Sequence, residues 1–147
     1  ESSYAPLYLC RAMLKSAQDK LADIQKAEEL EQSYRTGLAL INYYLESNEK
    51  EKAEKIAQYY FRKFPENYVI GLKYAKTLCV NAKYVECIAV LKRLKVLPNE
   101  GAYEGRAVYR EANLFQAINL LKKKRYSDAI KFVEQSKIWI ERHGKQG

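Results

Sequence analysis

A self-similarity with a period of 34 residues constrains this chain more than any other feature in it. Gly37, Leu40, Ile41 and Tyr44 stand at i, i+3, i+4 and i+7, so they share one face of a helix. The same spacing returns 34 residues on at Gly71, Tyr74, Ala75 and Leu78. After a short polar break, Ala53, Ile56, Ala57 and Tyr60 make a second helical face, and the same shift carries it onto Cys87, Val90, Leu91 and Leu94. Each unit is therefore predicted to be two antiparallel helices. Such a pair cannot bury its apolar face alone, so neighbours must stack and share a core. Pro65 and Pro98 close two of the units, because a residue with fixed φ and no amide donor stops a helix.

A further shift of 42 takes Cys87, Val90, Leu91 and Leu94 onto Ala129, Phe132, Val133 and Ser136, and Tyr84 onto Tyr126. The eight residues by which 42 exceeds 34 fall in a stretch with one proline and two glycines, predicted to be an inserted loop over 98–105. Its structural residues are Pro98, Asn99, Glu100, Gly101 and Gly105, with Arg106 opening the next helix. In that next helix Asn113 and Gln116 stand where the others have Gly71 and Tyr74. Upstream, residues 4–32 make a more divergent pair, with Ile24 and Ala27 in the places of Ala57 and Tyr60. Four hairpins, at about 4–32, 34–64, 68–97 and 106–141, then fill a single domain. Composition agrees: 48% hydrophobic and 30% charged residues exclude disorder, and 6 Gly with 3 Pro are too few for a many-stranded sandwich.

These residues resemble the tetratricopeptide repeat, whose unit is two antiparallel helices in about 34 residues. The resemblance rests on a small residue early in the first helix (Gly37, Gly71) and a bulky one late in it (Tyr44, Leu78). A small one opens the second helix (Ala53, Cys87, Ala129), and a proline closes the unit. It implies an all-α, right-handed superhelical stack of about four helix hairpins, an α-solenoid used as a protein-binding scaffold. A closer resemblance lies in LALINYYLE (38–46), LPNEGAYEGRAVYREANL (97–114) and the YSDAI turn. These strings are similar to the helical repeats that end large bacterial proteins of uncharacterised function bearing a galactose-mutarotase-like sandwich. That likeness implies the helical part of a bigger protein, with any carbohydrate chemistry in the other domain. A start at Glu1 instead of Met fits a processed or excised chain.

No constellation for catalysis assembles in the sequence, and the chain is predicted not to be an enzyme. His143 is the single histidine and lies five residues from the end. Glu100 and Glu104 could be imagined as a glycosidase-like acid and base, but a carboxylate there equally caps the following helix. Phosphate-cradling glycine motifs are absent, and no cofactor or metal is expected. Cys10, Cys79 and Cys87 lack metal or redox spacing and read as small core residues, with a Cys79–Cys87 bridge across a hairpin left open. That usage suits a reducing compartment, and a cytoplasmic location is expected. No run of about 18 apolar residues spans a membrane.

The remaining signals concern partners. The repeat fold implies a concave face lined by first-helix residues between the core stripes: Arg35, Leu38, Asn42, Leu45, Leu72, Lys73, Lys76, Leu114 and Ile118. Such a groove, apolar and cationic, favours an acidic or amphipathic protein segment, or another domain of the same protein. The net charge of +8 sits in the second half, and Lys122-Lys123-Lys124-Arg125 is its densest run. The run is read as a helix end with cations on the dipole, with nucleic-acid binding the lesser alternative. Of the 13 tyrosines, one from each of Tyr43-Tyr44 and Tyr59-Tyr60 must leave the core stripe. Tyr43 and Tyr59 are thus candidates for contact points or for packing between hairpins.

Overall fold

Helix boundaries in this protein follow the chemistry of the chain at their ends. The structure, a computed structural model, describes residues 3–94 and 102–138. Among them are eight helices and no strand: α1 (Ala5–Met13), α2 (Ala17–Leu30), α3 (Tyr34–Glu46), α4 (Lys50–Lys63), α5 (Tyr68–Val80), α6 (Tyr84–Arg93), α7 (Ala102–Lys122) and α8 (Tyr126–Lys137). Two compact units divide the chain, Glu1–Lys73 and Tyr74–Gly147, with the division inside α5. In the first, α1 packs on α2, α2 on α3 and α3 on α4. In the second, α6 packs on α7 and α7 on α8.

The period visible in the sequence is written into the backbone at both helix ends. Ser33 caps α3: its Oγ accepts from the Thr36 amide at 3.3 Å, while Thr36 Oγ1 accepts from the Ser33 amide at 2.9 Å. One period on, Asn67 Oδ1 accepts from the Ile70 amide at 3.1 Å. At the other ends, Asn48, Ala82 and Lys124 have φ of 59, 57 and 59°, in the left-handed region. They are separated by the same 34 and 42 residues. Around each, two amides turn back to the helix in a Schellman pattern. Glu49 donates to Tyr44 O at 2.8 Å and Asn48 to Leu45 O at 3.1 Å; Lys83 donates to Leu78 O at 2.9 Å and Ala82 to Cys79 O at 3.0 Å. In the last pair Arg125 donates to Leu120 O and Lys124 to Leu121 O, both at 2.9 Å. The turn therefore belongs to the repeat, whatever residue occupies it.

In the first unit the core is Ile24, Ala27, Leu40, Ile41, Ala53, Ala57, Tyr60 and Phe61, all buried. Gly37 sits on this stripe because nothing larger fits. A Cβ there would lie 2.5 Å from Cγ and Cδ1 of the Tyr60 ring. Tyr60 is fully buried, and its hydroxyl donates to Glu28 Oε1 at 2.8 Å, which ties α4 to α2. Burial pushes that phenol well above its ordinary pKa. The one buried carboxylate of this unit among the described residues, Asp23, is held by Arg11 of α1 and by Lys15 just after that helix, at 2.5 and 3.0 Å. In the second unit Cys87, Val90, Leu91, Val108, Tyr109, Ala112, Ala117, Leu120 and Ala129 are buried. Asn113, the register equivalent of Gly37 and Gly71, is fully buried and donates from Nδ2 to Tyr109 O at 2.8 Å.

Three expectations from the sequence need correction. The inserted loop does not reach Gly105: α7 starts at Ala102, so Gly105 and Arg106 lie in its opening turns. Gly105 is buried and heads the stripe continued by Val108, Tyr109 and Ala112, while Glu104 in the first turn suits the positive helix end. Both features extend the helix through a glycine that periodicity treats as a break. Pro98, Asn99, Glu100 and Gly101 lie outside the described residues. Cys10 is not a core residue but is exposed on α1. Leu72 is buried at 6% exposure, because α5 also buries Ile70, Tyr74, Ala75, Thr77 and Leu78 and so turns apolar residues inward on nearly every side.

Candidate interaction surface

A surface for a partner needs apolar area still exposed once the core is complete, with polar groups beside it for orientation. In the second unit α7 supplies the apolar part. Its buried stripe runs through Val108, Tyr109, Ala112, Asn113, Ala117 and Leu120. On another face Leu114, Ile118 and Leu121 stand at i, i+4 and i+7, with Phe115 beside them, each between 37 and 48% exposed. Phe115 stacks on Tyr84 of α6 with ring centroids 5.4 Å apart, so the stripe is anchored to its neighbouring helix. Lys76 of α5 forms an ion pair with Glu104 of α7. Its charge is thus partly answered within the protein.

In the first unit the corresponding helix is α3. Arg35 is exposed and its guanidinium lies 5.0 Å from the Tyr34 ring centroid. Leu38, Asn42 and Leu45 follow along the helix, all half-buried, and Glu46 at its end accepts from Lys20 at 3.3 Å. Lys73 is half-buried; desolvation lowers its pKa, and the carboxylate of Glu46 pulls the other way. Leu72, buried, is not available to a partner. Of the nine residues assigned to the concave face, α3 carries four, the start of α5 carries Leu72 and Lys73, and the second unit carries Lys76, Leu114 and Ile118.

Of the tyrosine pairs, only Tyr59 and Tyr60 separate as the spacing predicts. Tyr60 is inward and Tyr59 outward, 48% exposed, its hydroxyl donating to Gln32 Oε1 at 2.8 Å. Tyr43 and Tyr44 are both half-buried, edge to face at 5.3 Å. In the basic run, Lys122 ends α7, Lys124 occupies the left-handed turn and Arg125 pairs with Asp128 at 2.6 Å. Among the described residues no group of His, Cys, Asp and Glu could hold a metal ion, and no helix is long and apolar enough to cross a membrane. His143 lies outside the described residues.

Sequence reasoning missed one feature: Phe115 and Leu121 belong with Leu114 and Ile118, and the signal was an α7 sequence apolar on more than one face. The bridge left open between Cys79 and Cys87 corresponds to a close approach of two free thiols, whose sulfurs lie 2.9 Å apart. No protein-family model matches the chain, and no curated protein or solved structure matches it either.

Proposed function

We propose that the chain is a non-enzymatic interaction module of tetratricopeptide type, four helix hairpins stacked in a right-handed superhelix. In this reading it is the helical part of a larger bacterial protein. The observation that carries the reading is the exposed Leu114, Phe115, Ile118 and Leu121 stripe on a helix whose other face already fills the core. A solvent-facing stripe of this kind holds apolar area for another surface. Arg35 and Lys73, together with Leu38 and Leu45, give the first unit a cationic and apolar character that favours an acidic amphipathic segment. The resemblance of residues 38–46 and 97–114 to the repeats of mutarotase-like bacterial proteins suggests a second form of the same reading, in which the stripe buttresses a carbohydrate-active domain.

Fluorescence anisotropy with an acidic amphipathic helical peptide, and with its charge-reversed counterpart, tests the proposal. The acidic peptide should bind more tightly, and Leu114→Ser with Ile118→Ser should weaken it by at least about tenfold, the scale of truncating buried interface anchors. Lys73→Glu should abolish the preference for the acidic peptide. Equal affinity for the two peptides refutes the site on the first unit, and no loss in the double variant refutes the site on α7. Co-expression with the sandwich domain distinguishes the buttress, which predicts that the domain loses solubility without this chain. Affinity that collapses with added salt and extends to single-stranded nucleic acid would instead favour the basic second half as the site.

A further inference from the structure

The turn between α5 and α6 carries a chemistry that the other repeats lack. Cys79 stands in the last turn of α5 and Cys87 in the first turn of α6, eight residues apart across the left-handed Ala82. Their Sγ atoms are 2.9 Å apart, within about 0.9 Å of bonding distance. The equivalent positions one unit either way hold Leu45 with Ala53 and Leu121 with Ala129, pairs that cannot be oxidised. The two thiols differ in access, for Cys79 is half-buried and Cys87 has no exposed surface. They also differ in acidity. The hydrogen bond that Cys87 can donate to an ionised Cys79 lowers the Cys79 pKa, whereas that same contact and burial raise the pKa of Cys87. Glu111 of α7 is the acidic group facing both, and it opposes ionisation of either.

We propose that Cys79 and Cys87 form a reversible oxidation site, with Cys79 as attacking thiol and Cys87 as resolving thiol, closed into a bridge by a small-molecule disulfide such as oxidised glutathione. The Cys79 thiolate attacks one sulfur of the disulfide, forming a mixed disulfide and releasing one glutathione thiolate. Cys87 then gives up its proton, attacks the Cys79 sulfur and expels the second. Two protein thiols and one disulfide become one protein disulfide and two glutathione thiols. An accessible, more acidic cysteine beside a buried partner is the arrangement such sites require. Cys10, exposed on α1, serves as the internal control.

The experiment treats the reduced full chain with oxidised glutathione and follows free thiols and intact mass. A fall from three thiols to one, with no glutathione retained at Cys79 or Cys87, is expected about tenfold faster than modification of Cys10. Tryptic peptides 77–83 and 84–92 should then run as one species until dithiothreitol separates them. In Cys87→Ala, Cys79 should retain one glutathione; in Cys79→Ala, Cys87 should stay unmodified over the same time. Glutathione retained on both cysteines of the wild type, a Cys10 faster than Cys79, or bridges only between molecules would overturn the assignment. So would Cys87 reacting equally well without Cys79.

Discussion

Replacing Gly37 with alanine is normally a stabilising change within a helix, worth about 1 kcal/mol in backbone propensity. Here the opposite is expected. The new Cβ would meet Cγ and Cδ1 of Tyr60 at 2.5 Å and Cε1 at 2.9 Å. Ordinary carbon contacts are about 3.5–4.0 Å, so either ring or helix must move by about 1 Å. The ring has little freedom to do so. Its hydroxyl is tied to Glu28, its edge meets Tyr59 at 5.2 Å and its face stacks over Phe64 at 6.3 Å. Overpacking of a site this tightly held costs towards the upper end of about 1–3 kcal/mol, which outweighs the propensity gain and leaves a net destabilisation of up to about 2 kcal/mol. Urea unfolding of the wild type, Gly37→Ala, Tyr60→Leu and the double variant measures it as a cycle. In the Tyr60→Leu background the ring is gone, and Gly37→Ala should be neutral or stabilising by up to about 1 kcal/mol. A Gly37→Ala variant that raises the midpoint with Tyr60 in place would refute the close approach of α3 and α4.

Two further outcomes follow from the turns and the buried carboxylate. Ala82→Gly and Lys124→Gly should each stabilise by about 0.5–1 kcal/mol, because a side chain at φ near 57–59° is strained and glycine is not; Asn48→Gly should gain less, since asparagine tolerates that region. Equal or negative effects at all three, read as urea midpoints, would mean the turns are not strained. Asp23 is held down to about 2 by Arg11 first and Lys15 second, below its ordinary 3.8. Because the folded-state value is depressed, its contribution is present above about pH 4 and is lost as the pH falls towards 2. With Arg11 56% exposed the pair is screened, so Asp23→Asn should cost on the order of 1 kcal/mol at pH 7 and nothing near pH 2; a difference independent of pH would contradict the ion pair.

The repeat, its period and most of its inward residues were legible in the sequence because they depend on spacings of three, four and thirty-four positions along one chain. The positions at Gly37, Leu40, Ile41, Ala53 and Ala57 are buried where that spacing put them, and Ser33 and Asn67 cap α3 and α5 one period apart. The candidate surface was legible only in part. Leu114 and Ile118 are exposed, and Leu72 is not, because a helix with apolar residues on nearly every side gives periodicity no single face to choose. That Ala82 and Lys124 adopt a left-handed conformation had no signature in their side chains; the turn's hydrogen bonds impose it.

Sequence by itself determined which short stretches coil and, outside α5 and α7, which face each keeps from water, since those follow from bonds and contacts within a few residues. Tertiary structure alone decided that Tyr60 fills the space Gly37 leaves and that Asp23 is buried with two cations, and it settled how near the Cys79 and Cys87 thiols come. These depend on how closely separate helices approach, and that distance is set jointly by all the side chains between them, none of which carries it alone.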